Sequence, residues 1–533
     1  MKDLFDKNLK RLDVLSLPKQ KTAKEINVVV HRNHSIEMVS NIINSFLNFS
    51  KLSANFELSS YDDSLTFNDV NDNADLQILW LDLNRYNQNE VKGFLAEKIS
   101  ELRTRVKNPI LVCYLSDDLT DLSFDISDCY FVNISRIVKY LGDSAYDLQK
   151  ESVSGTRLSA KSSIIIAQYL GLKIIPSILK PALKAVVLDL DNTLYKGILG
   201  EDGIENLILY NDLQTKLKSL KEQGFLLSIA SKNEEKDVIE MFNKRNDFIL
   251  KKDDFTCIYA NWNLKEENIK QIAKDLNIGL DSMLFIDDNI AEIESVSSFI
   301  PEIKTILAKD EETTLRYLDL YPCLIKKSVS KEDALRSNDL KANKEREELA
   351  KILSKEEYFK KLGMKIEITV NDFDNADRIT ELLNKTNQFI LSYRRYNKTE
   401  VLELLKSQNS CVITAKMSDR LSDSGVIAIL IGKKAENNLF IDELTFSCRA
   451  LGRNIEDIVI TKMILLAVEE LKASNKVIIN YQKGARNLPA QNWLTSFTGQ
   501  TLEEQGSIEK NISKDFETYG LNMEIKHLIG EVV

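Results

Sequence analysis

Histidine is scarce in this chain, and its absence from the middle of the sequence removes several kinds of active site. Only three histidines occur among 533 residues: His31, His34 and His527. A serine-hydrolase triad and a multi-histidine metal centre both need histidine beside the reacting groups. Any active site in the middle of the chain must therefore use carboxylates, lysines, hydroxyls or thiols.

The chain also lacks CxxC cysteine pairs, long apolar runs and a net positive charge. The six cysteines form no CxxC pair, which argues against a disulfide framework or zinc site and favours a reducing cytoplasm. No run of 18 apolar residues occurs, so we expect no membrane-spanning helix, and the N-terminus lacks the apolar segment of a signal peptide. The net charge of −10 disfavours a nucleic-acid partner, because nucleic-acid phosphates would be repelled.

The chain length predicts about three domains, all of the α/β class. Apolar runs at 26–30, 76–83 and 109–115 alternate with amphipathic stretches, a pattern typical of a parallel sheet covered on both faces. A second series of alternating apolar and amphipathic segments follows in the central part of the chain. The predicted segments are an N-terminal domain at 1–181, a central domain at 182–307, a charged helical connector at 308–363 and a C-terminal domain at 364–533.

Paired carboxylates follow the first strand of the central series. The segment VVLDLDNTL delivers Asp189 and Asp191 to the carboxyl end of a strand, where open α/β sheets bind ligands. Two carboxylates so close together can divide the work of phosphoryl transfer. Asp189 can attack phosphorus and form an aspartyl phosphate. Asp191 can protonate the leaving oxygen and later deprotonate the attacking group.

Phosphoryl transfer also needs positive charge beside the phosphate. Ser231 ends the middle strand of the series and can hold a phosphate oxygen, while Lys265 is the candidate cation for pairing with the nucleophile. A later strand, SMLFIDD, supplies two more carboxylates, and oxygen ligands of this kind suit Mg²⁺. The predicted magnesium ligands are Asp189, Asp191, Asp287 and Asp288.

Four segments of the central domain carry a family resemblance: DLDNTLYKGILGEDG, LLSIASKNEE, NWNLKEENI and FIDDNIAEIESV. They resemble the haloacid dehalogenase (HAD) superfamily, subfamily IIIC, and within it the FkbH-like proteins. KTNQFILSYRRY and FIDELTFSCRALGRNIED extend the resemblance beyond the central domain. It implies a magnesium site, an aspartyl nucleophile at Asp189 and an acid/base at Asp191, in a HAD Rossmann-like domain. For better-known members it implies transfer of a glyceryl unit from 1,3-bisphosphoglycerate to an acyl carrier protein.

Two functions stay open at this point. One is a transferase that removes phosphate from an acyl phosphate or a phosphorylated three-carbon acid and passes the acyl unit to an acyl carrier protein. The other is a stand-alone phosphatase of a small phosphorylated metabolite. Many relatives carry a cysteine just before the Ser-Lys-Asn motif, where this chain has Ala230. The short gaps between Asp191, Ser231 and Lys265 leave no room for a large cap domain, which predicts an open pocket.

The C-terminal domain contains a candidate phosphate-binding loop. Arg449, Gly452, Arg453 and Asn454 precede a long helix at a spacing that resembles the pyrophosphate loop of the GNAT acyltransferases. The resemblance implies a GNAT-like α/β domain that holds the phosphopantetheine arm of a carrier protein, and a plain helix N-terminus is the alternative. Cys448, directly before the loop, is either an acyl acceptor or a small core residue.

The N-terminal domain resembles flavodoxin-like or SGNH-hydrolase sheets. A working SGNH site needs a late Asp-x-x-His, which the sequence lacks. We therefore expect a non-catalytic domain and interpret His31 and His34 as ordinary loop residues.

Overall fold

The chain forms two compact units, residues 1–182 with 315–327 and residues 183–314 with 328–533. Residues 315–327 fall inside the predicted connector and belong to the first unit, while the predicted domain boundaries stay predictions. The predicted α/β class with parallel sheets is confirmed. The computed structural model describes residues 4–17, 23–61, 65–67, 70–87, 90–117, 121–326, 342, 345–346, 348–386, 388–447, 450–484 and 486–527.

The first unit is built on a parallel five-stranded sheet. Its strands are β1 Lys24–Arg32, β2 Leu52–Leu58, β3 Leu76–Asp82, β4 Ile110–Leu115 and β5 Cys129–Asn133, in the order β2-β1-β3-β4-β5. This is the order of flavodoxin-like folds. β3 is buried along its whole length, as expected for a parallel strand covered on both faces. The helices are α1 Arg11–Leu15, α2 Glu37–Leu47, α3 Val91–Arg105, α4 Ile134–Val138, α5 Glu151–Ser154, α6 Ala160–Gln168 and α7 Ile175–Leu179.

One continuous helical stretch in this unit, Ala160–Leu179, is long and apolar enough by composition to cross a membrane. It includes α6, a π-helical turn at Tyr169–Ile174 and α7. Within the unit 72% of its most apolar window is buried, a pattern that core helices share. The sequence-based expectation counted uninterrupted apolar residues and did not single out this helix.

The central sheet of the second unit is parallel and positions the candidate site. Its strands are β6 Ala185–Leu188, β9 Leu226–Ser231, β10 Phe255–Ala260, β11 Met283–Asp287 and β12 Lys304–Leu307, in the order β10-β9-β6-β11-β12. A two-stranded hairpin, β7 Tyr195–Lys196 with β8 Ile208–Leu209, follows β6. The helices are α8 Leu199–Asp202, α9 Asn211–Glu222, α10 Glu235–Lys244, α11 Lys265–Asp275 and α12 Ile290–Phe299. A further helix, α13 Glu311–Leu320, begins in this unit, and its residues from 315 onward belong to the first unit.

A mixed seven-stranded sheet forms the rest of the second unit. Its strands are β13 Lys365–Val370, β14 Ser410–Ser418, β15 Asp423–Ala435, β16 Asn438–Phe446, β17 Lys476–Gln482, β18 Gln505–Asn511 and β19 Asn522–His527, in the order β18-β17-β16-β15-β14-β13-β19. The pairs β16–β17 and β13–β19 are parallel, and the other pairs are antiparallel. The helices are α14 Lys355–Leu362, α15 Ala376–Lys385, α16 Lys398–Lys406, α17 Glu456–Glu470 and α18 Leu488–Thr498.

Candidate active site

The middle strand of the central sheet delivers the two predicted catalytic carboxylates. β6 is an apolar, fully buried strand, and Asp189 follows it directly at the carboxyl edge of the sheet. The chain then turns sharply at Asn192, whose φ of 52° lies in the left-handed region. Asparagine tolerates this region better than most residues, and the Asn192 side chain accepts a hydrogen bond from the Gly197 N–H (3.1 Å). This turn separates Asp189 from the hairpin that begins at Tyr195.

Three carboxylates converge at this edge. Ligand oxygens of Asp189, Asp287 and Asp288 all lie within 4.8 Å of one another, and Asp189 and Asp287 are buried. The two contributing strands, β6 and β11, are neighbours in the sheet, so their carboxyl ends meet. The structure therefore brings together three of the four predicted magnesium ligands.

Lys265 lies between two of these carboxylates. Its Nζ is 2.8 Å from Asp189 Oδ1 and also pairs with Asp287 Oδ2. The lysine is itself buried at the first turn of α11. Burial alone would lower its pKa, but the negative charges of Asp189 and Asp287 outweigh burial and raise it. Lys265 is therefore the cation that the sequence predicted beside the nucleophile.

The carboxylates carry more negative charge than the lysine neutralises. Burial raises the pKa of Asp189 to about 6; Lys265 opposes this rise and Asp287 adds to it. Burial also raises the pKa of Asp287 and of Asp288. Among the residues that the structure describes, Lys265 is the only cation paired with this cluster. An oxygen-only donor set with excess negative charge fits a hard divalent cation such as Mg²⁺.

Asp191 is held differently, and its predicted role as a metal ligand is not supported by its side chain. Its Oδ1 accepts hydrogen bonds from the Tyr195 hydroxyl (2.7 Å) and the Leu199 N–H (3.0 Å), and its Oδ2 accepts one from Asn233 Nδ2 (3.0 Å). Asp191 is not among the three carboxylates whose oxygens lie within 4.8 Å of one another, and its role as a metal ligand stays a prediction. The side chain is partly exposed, which leaves it accessible for proton transfer.

Two residues that fix this arrangement were missed by sequence reasoning. Tyr195 is completely buried and reaches Asp191 from the hairpin, while Asn233 also donates to Ser231 Oγ (3.1 Å) and so links two candidate catalytic side chains. Both residues stand inside the DLDNTLY and SKN segments that carried the family resemblance. Spacing alone gave no signal for them, because neither a tyrosine four residues after Asp191 nor an asparagine two residues after Ser231 is a distinctive pattern.

Ser231 occupies the expected place at the buried carboxyl end of β9. A hydrogen bond from Ser231 is one of the influences that lower the pKa of Asp189 against the effect of burial. The adjacent Lys232 turns to Glu292 at the start of α12, with an Nζ–Oε1 distance of 2.5 Å. Lys265, rather than Lys232, is therefore the lysine that pairs with Asp189.

The predicted phosphate loop of the C-terminal sheet is occupied by the chain itself. The Gly452 N–H donates to Glu456 Oε1 (2.5 Å), so a carboxylate already occupies the N-terminus of α17. Arg453 is buried and donates to Ser424 Oγ (3.0 Å), whereas Asn454 is exposed. Cys448 and Arg449 lie outside the residues that the structure describes. A phosphate site here stays a prediction, and it would require Gly452 to exchange its partner.

The two parallel strands behind this loop also diverge. β16 and β17 pair only over Leu439–Ile441 and Val477–Ile479. Residues 389–391 enter the gap beyond: Phe446 N–H donates to Phe389 O (2.9 Å), and Gln482 N–H donates to Leu391 O (2.8 Å). An extended ligand could add to such a gap as a strand, but here its backbone partners are taken.

The N-terminal sheet closes its carboxyl edge with ion pairs. Arg157 pairs with Asp82 (3.0 Å) and Asp117 (2.6 Å), and Arg85 pairs with Glu151 (2.9 Å). His34 is buried against Trp80, with ring centroids 5.3 Å apart. Burial and three nearby arginines lower its pKa to about 3.

The interpretation of His31 as an ordinary loop residue is wrong, and His34 lies in a loop as expected but is fully buried. His31 lies in β1 and is fully buried, with Nε2 3.1 Å from Gln77 Oε1. His34 follows the strand but is equally buried. Their burial was not visible from the sequence, because the polar stretch HRNHS resembles a solvated loop.

Several solved structures are similar to the chain at low identity. The N-terminal part of a Bacteroides fragilis protein, containing a phosphatase domain and complexed with Mg, is 21% identical with a TM-score of 0.47; the match covers 59% of this chain and 96% of that chain. A HAD family enzyme from Bacteroides thetaiotaomicron, an aspartate-to-alanine variant complexed with magnesium and inorganic phosphate, is 16% identical with a TM-score of 0.19, covering 23% and 93%.

A GNAT family acetyltransferase from Streptococcus pneumoniae is 11% identical with a TM-score of 0.20, covering 25% of this chain and 83% of that chain. No protein-family model matches the sequence, and no curated protein matches it. Likenesses at this level establish neither a family nor an activity.

Proposed function

We propose that the chain is a magnesium-dependent phosphatase of the HAD type, with Asp189 as the nucleophile. The observation that carries this proposal is the cluster of three buried or half-buried carboxylates around a single lysine at the carboxyl edge of a parallel sheet. Excess negative charge in a buried site is costly unless a cation joins it. Magnesium held by Asp189, Asp287 and Asp288 would neutralise charge on the phosphoryl oxygens.

The side chains support a two-step reaction. A carboxylate oxygen of Asp189 attacks phosphorus, the bond from phosphorus to the leaving oxygen breaks, and Asp191 gives that oxygen a proton. Water then attacks the aspartyl phosphate, Asp191 accepts the proton, and inorganic phosphate leaves. Lys265 holds Asp189 in place, while Ser231 lies where it can hold a phosphoryl oxygen. Tyr195 and Asn233 keep Asp191 aimed into the site.

For the substrate we infer a small phosphorylated metabolite, such as an acyl phosphate or a phosphorylated three-carbon acid, in a cytoplasmic setting. Glyceryl transfer to an acyl carrier protein is the second candidate. It is favoured by the hairpin that stands where a large cap would close the pocket, because a site without such a cap can receive a substrate carried on another protein. Ala230 and the occupied Gly452 N–H weigh against a thioester route on the residues that the structure describes.

The test is phosphate release from acetyl phosphate and from 1,3-bisphosphoglycerate generated in place, with and without Mg²⁺, combined with intact-protein mass spectrometry. We expect Mg²⁺-dependent release that Asp189→Asn abolishes, and an added phosphoryl mass that accumulates on Asp191→Asn. A glyceryl mass on an added acyl carrier protein would establish the second candidate instead. Full activity of Asp189→Asn would refute both.

A further inference from the structure

Exposed apolar side chains border the mouth of the candidate active site. Between residues 183 and 314, all of which the structure describes, six large apolar side chains are exposed, and five of them belong to the hairpin segment or to loops that follow the strands of the sheet. We call these five the apolar rim. The rim consists of Ile198, Ile208, Trp262, Leu264 and Ile290.

The sheet order places the rim at the same edge of the central sheet as the carboxylate cluster. Trp262 and Leu264 follow β10, Ile198 lies in the segment after β6, and Ile290 begins α12 after β11. In the order β10-β9-β6-β11 these strands are neighbours and parallel, so their carboxyl ends lie side by side. Phe299, the sixth exposed side chain, ends α12 and lies toward the opposite edge of the sheet.

Trp262 is exposed, but its side chain is held in place by a hydrogen bond. Its side chain is 68% exposed, yet its indole N–H donates to Glu234 Oε1 (2.6 Å) on the loop after β9. The two loops are also tied through the backbone, since the Asn261 N–H donates to the Ser231 carbonyl (3.1 Å). An aromatic ring that is oriented before binding offers a large contact area at low entropic cost. Its loop lies beside Ser231, at the edge of the phosphoryl site.

The C-terminal sheet touches the central sheet elsewhere. Arg486 pairs with Asp281, which lies just before β11 begins and therefore at the amino edge of the central sheet. The apolar rim stays exposed with the C-terminal sheet in place. An exposed apolar border around a polar site indicates contact with a ligand or partner.

We propose that the apolar rim, including Trp262 at its β10 end, binds an apolar chain on the leaving group of the substrate. This inference rests on the proposed phosphatase function and narrows its substrates to acyl phosphates or phosphate esters whose tail extends out of the pocket. The exposed charges near the rim disfavour an anionic tail, because four acidic residues outnumber the two exposed lysines, Lys196 and Lys236. The acidic residues are Glu201, Asp202, Glu234 and Glu235.

A kinetic comparison tests the rim. The wild-type protein with Mg²⁺ is given acetyl phosphate and octanoyl phosphate, and kcat/KM is measured for each. We expect octanoyl phosphate to be favoured by at least about tenfold, since burying each methylene group contributes to transition-state binding. Trp262→Ala should lower this ratio about tenfold. Phe299→Ala, an equally exposed apolar side chain at the opposite edge, should leave the ratio unchanged.

The outcomes separate the two proposals. If the wild type hydrolyses both substrates and Trp262→Ala keeps the wild-type ratio, the rim does not bind the tail and the inference fails. If the wild type hydrolyses neither substrate, the phosphatase function itself fails. In that case a binding measurement with a non-reacting ligand still tests whether the rim binds an apolar tail.

Tryptophan fluorescence supplies the binding measurement. The chain has three tryptophans, of which Trp80 and Trp493 are buried, so Trp262 is the one that a surface ligand can reach. Octylphosphonate with Mg²⁺ should shift the emission of the wild type, and methylphosphonate should not. The absence of this shift from the wild type overturns the inference.

Discussion

The N-terminal sheet and the central sheet both have polar side chains at their carboxyl edges. They differ in how far the carboxylates there are neutralised by cationic partners. At the carboxyl edge of the N-terminal sheet, which we call the N-terminal edge, carboxylates have arginine partners. Asp82 pairs with Arg157, and Glu37 pairs with Arg32. Asn33 joins β1 to β3 by accepting from the Asp82 N–H (2.7 Å) and donating to the Asp82 carbonyl (3.0 Å). This is the crevice where flavodoxin-like sheets bind ligands, and here the chain's own side chains close it.

The central edge leaves its carboxylates in excess. Asp189, Asp287 and Asp288 share one lysine, and burial raises the pKa of all three. Balanced ion pairs fix loops, whereas unbalanced buried charge is neutralised either by protonation or by a ligand of the opposite sign. Charge balance, rather than the mere presence of polar groups at a strand end, therefore distinguishes the candidate active site from the structural cluster.

The largest expected effect comes from the nucleophile. Asp189→Asn should lower turnover by about 10⁴-fold or more, because it removes the attacking oxygen while preserving shape. It should not destabilise the fold, since it also relieves repulsion from Asp287. Phosphate release and urea unfolding, measured on the same preparation, check both expectations.

Its matched control is Asp82→Asn at the N-terminal edge. This change removes one partner from a buried ion pair and leaves Arg157 with Asp117 alone, so the free energy of unfolding should fall by about 3 kcal/mol. Turnover should stay at the wild-type level. If Asp82→Asn abolished turnover without loss of stability, the N-terminal edge would also be functional and the contrast between the two edges would collapse.

Metal binding gives the next effect in size. Mg²⁺ at about 100 times its dissociation constant should stabilise the wild-type protein by about 2.7 kcal/mol, observed as a higher Tm in a thermal scan with Mg²⁺ than with EDTA. Asp287→Asn and Asp288→Asn should each lose most of this stabilisation, because each removes a charged ligand. Asp82→Asn should retain it in full.

Much of the arrangement at the carboxyl edge of the central sheet could be predicted from the sequence. Strand periodicity placed Asp189, Ser231 and Asp287 at strand ends, and the parallel arrangement then made their convergence a consequence of topology. Lys265 could be chosen because a buried nucleophile needs a cation. Short connections between the motifs also predicted the absence of a large cap.

What the sequence concealed were contacts made by residues without a distinctive pattern. Tyr195 could have been any core aromatic residue, and Glu456 any first-turn acid of a helix; only their positions in space show that they bind Asp191 and Gly452. The burial of His34 depends on Trp80, 46 residues later in the chain. Such pairings follow from tertiary packing, and local periodicity carries no information about them.

Asp189 and His34 should show opposite pH dependences in the metal-free protein, whereas burial shifts the pKa of Asp82 in the same direction as that of Asp189. The folded-state pKa of Asp189 is raised from 3.8 to about 6, so its contribution to stability is present at low pH and is lost as the pH rises from about 4 to 6. The pKa of His34 is lowered from 6.5 to about 3, so its contribution is lost as the pH falls below about 6.5. Each pKa unit corresponds to about 1.4 kcal/mol.

Urea unfolding in EDTA between pH 4 and pH 7 measures these slopes. Relative to the wild type, Asp189→Asn should gain stability as the pH rises, and His34→Phe should gain stability as the pH falls. His34→Phe also loses the hydrogen bond to Thr156, which adds an offset that does not change with pH. If the stability difference from the wild type changed with pH in the same direction for both variants, the opposite pKa shifts of Asp189 and His34 would be contradicted.

The smallest effect concerns the third sheet, where the chain again supplies its own counter-charge. Glu456 accepts from the Gly452 N–H at the start of α17, so a carboxylate takes the place that an anionic phosphate would occupy. We expect coenzyme A to give no heat of binding with the wild type at millimolar concentration. Glu456→Ala should gain weak binding with a Kd in the millimolar range, at a cost of about 1 kcal/mol in stability. Submillimolar binding to the wild type would instead show that Glu456 releases Gly452 readily and that the predicted phosphate loop works as a ligand site.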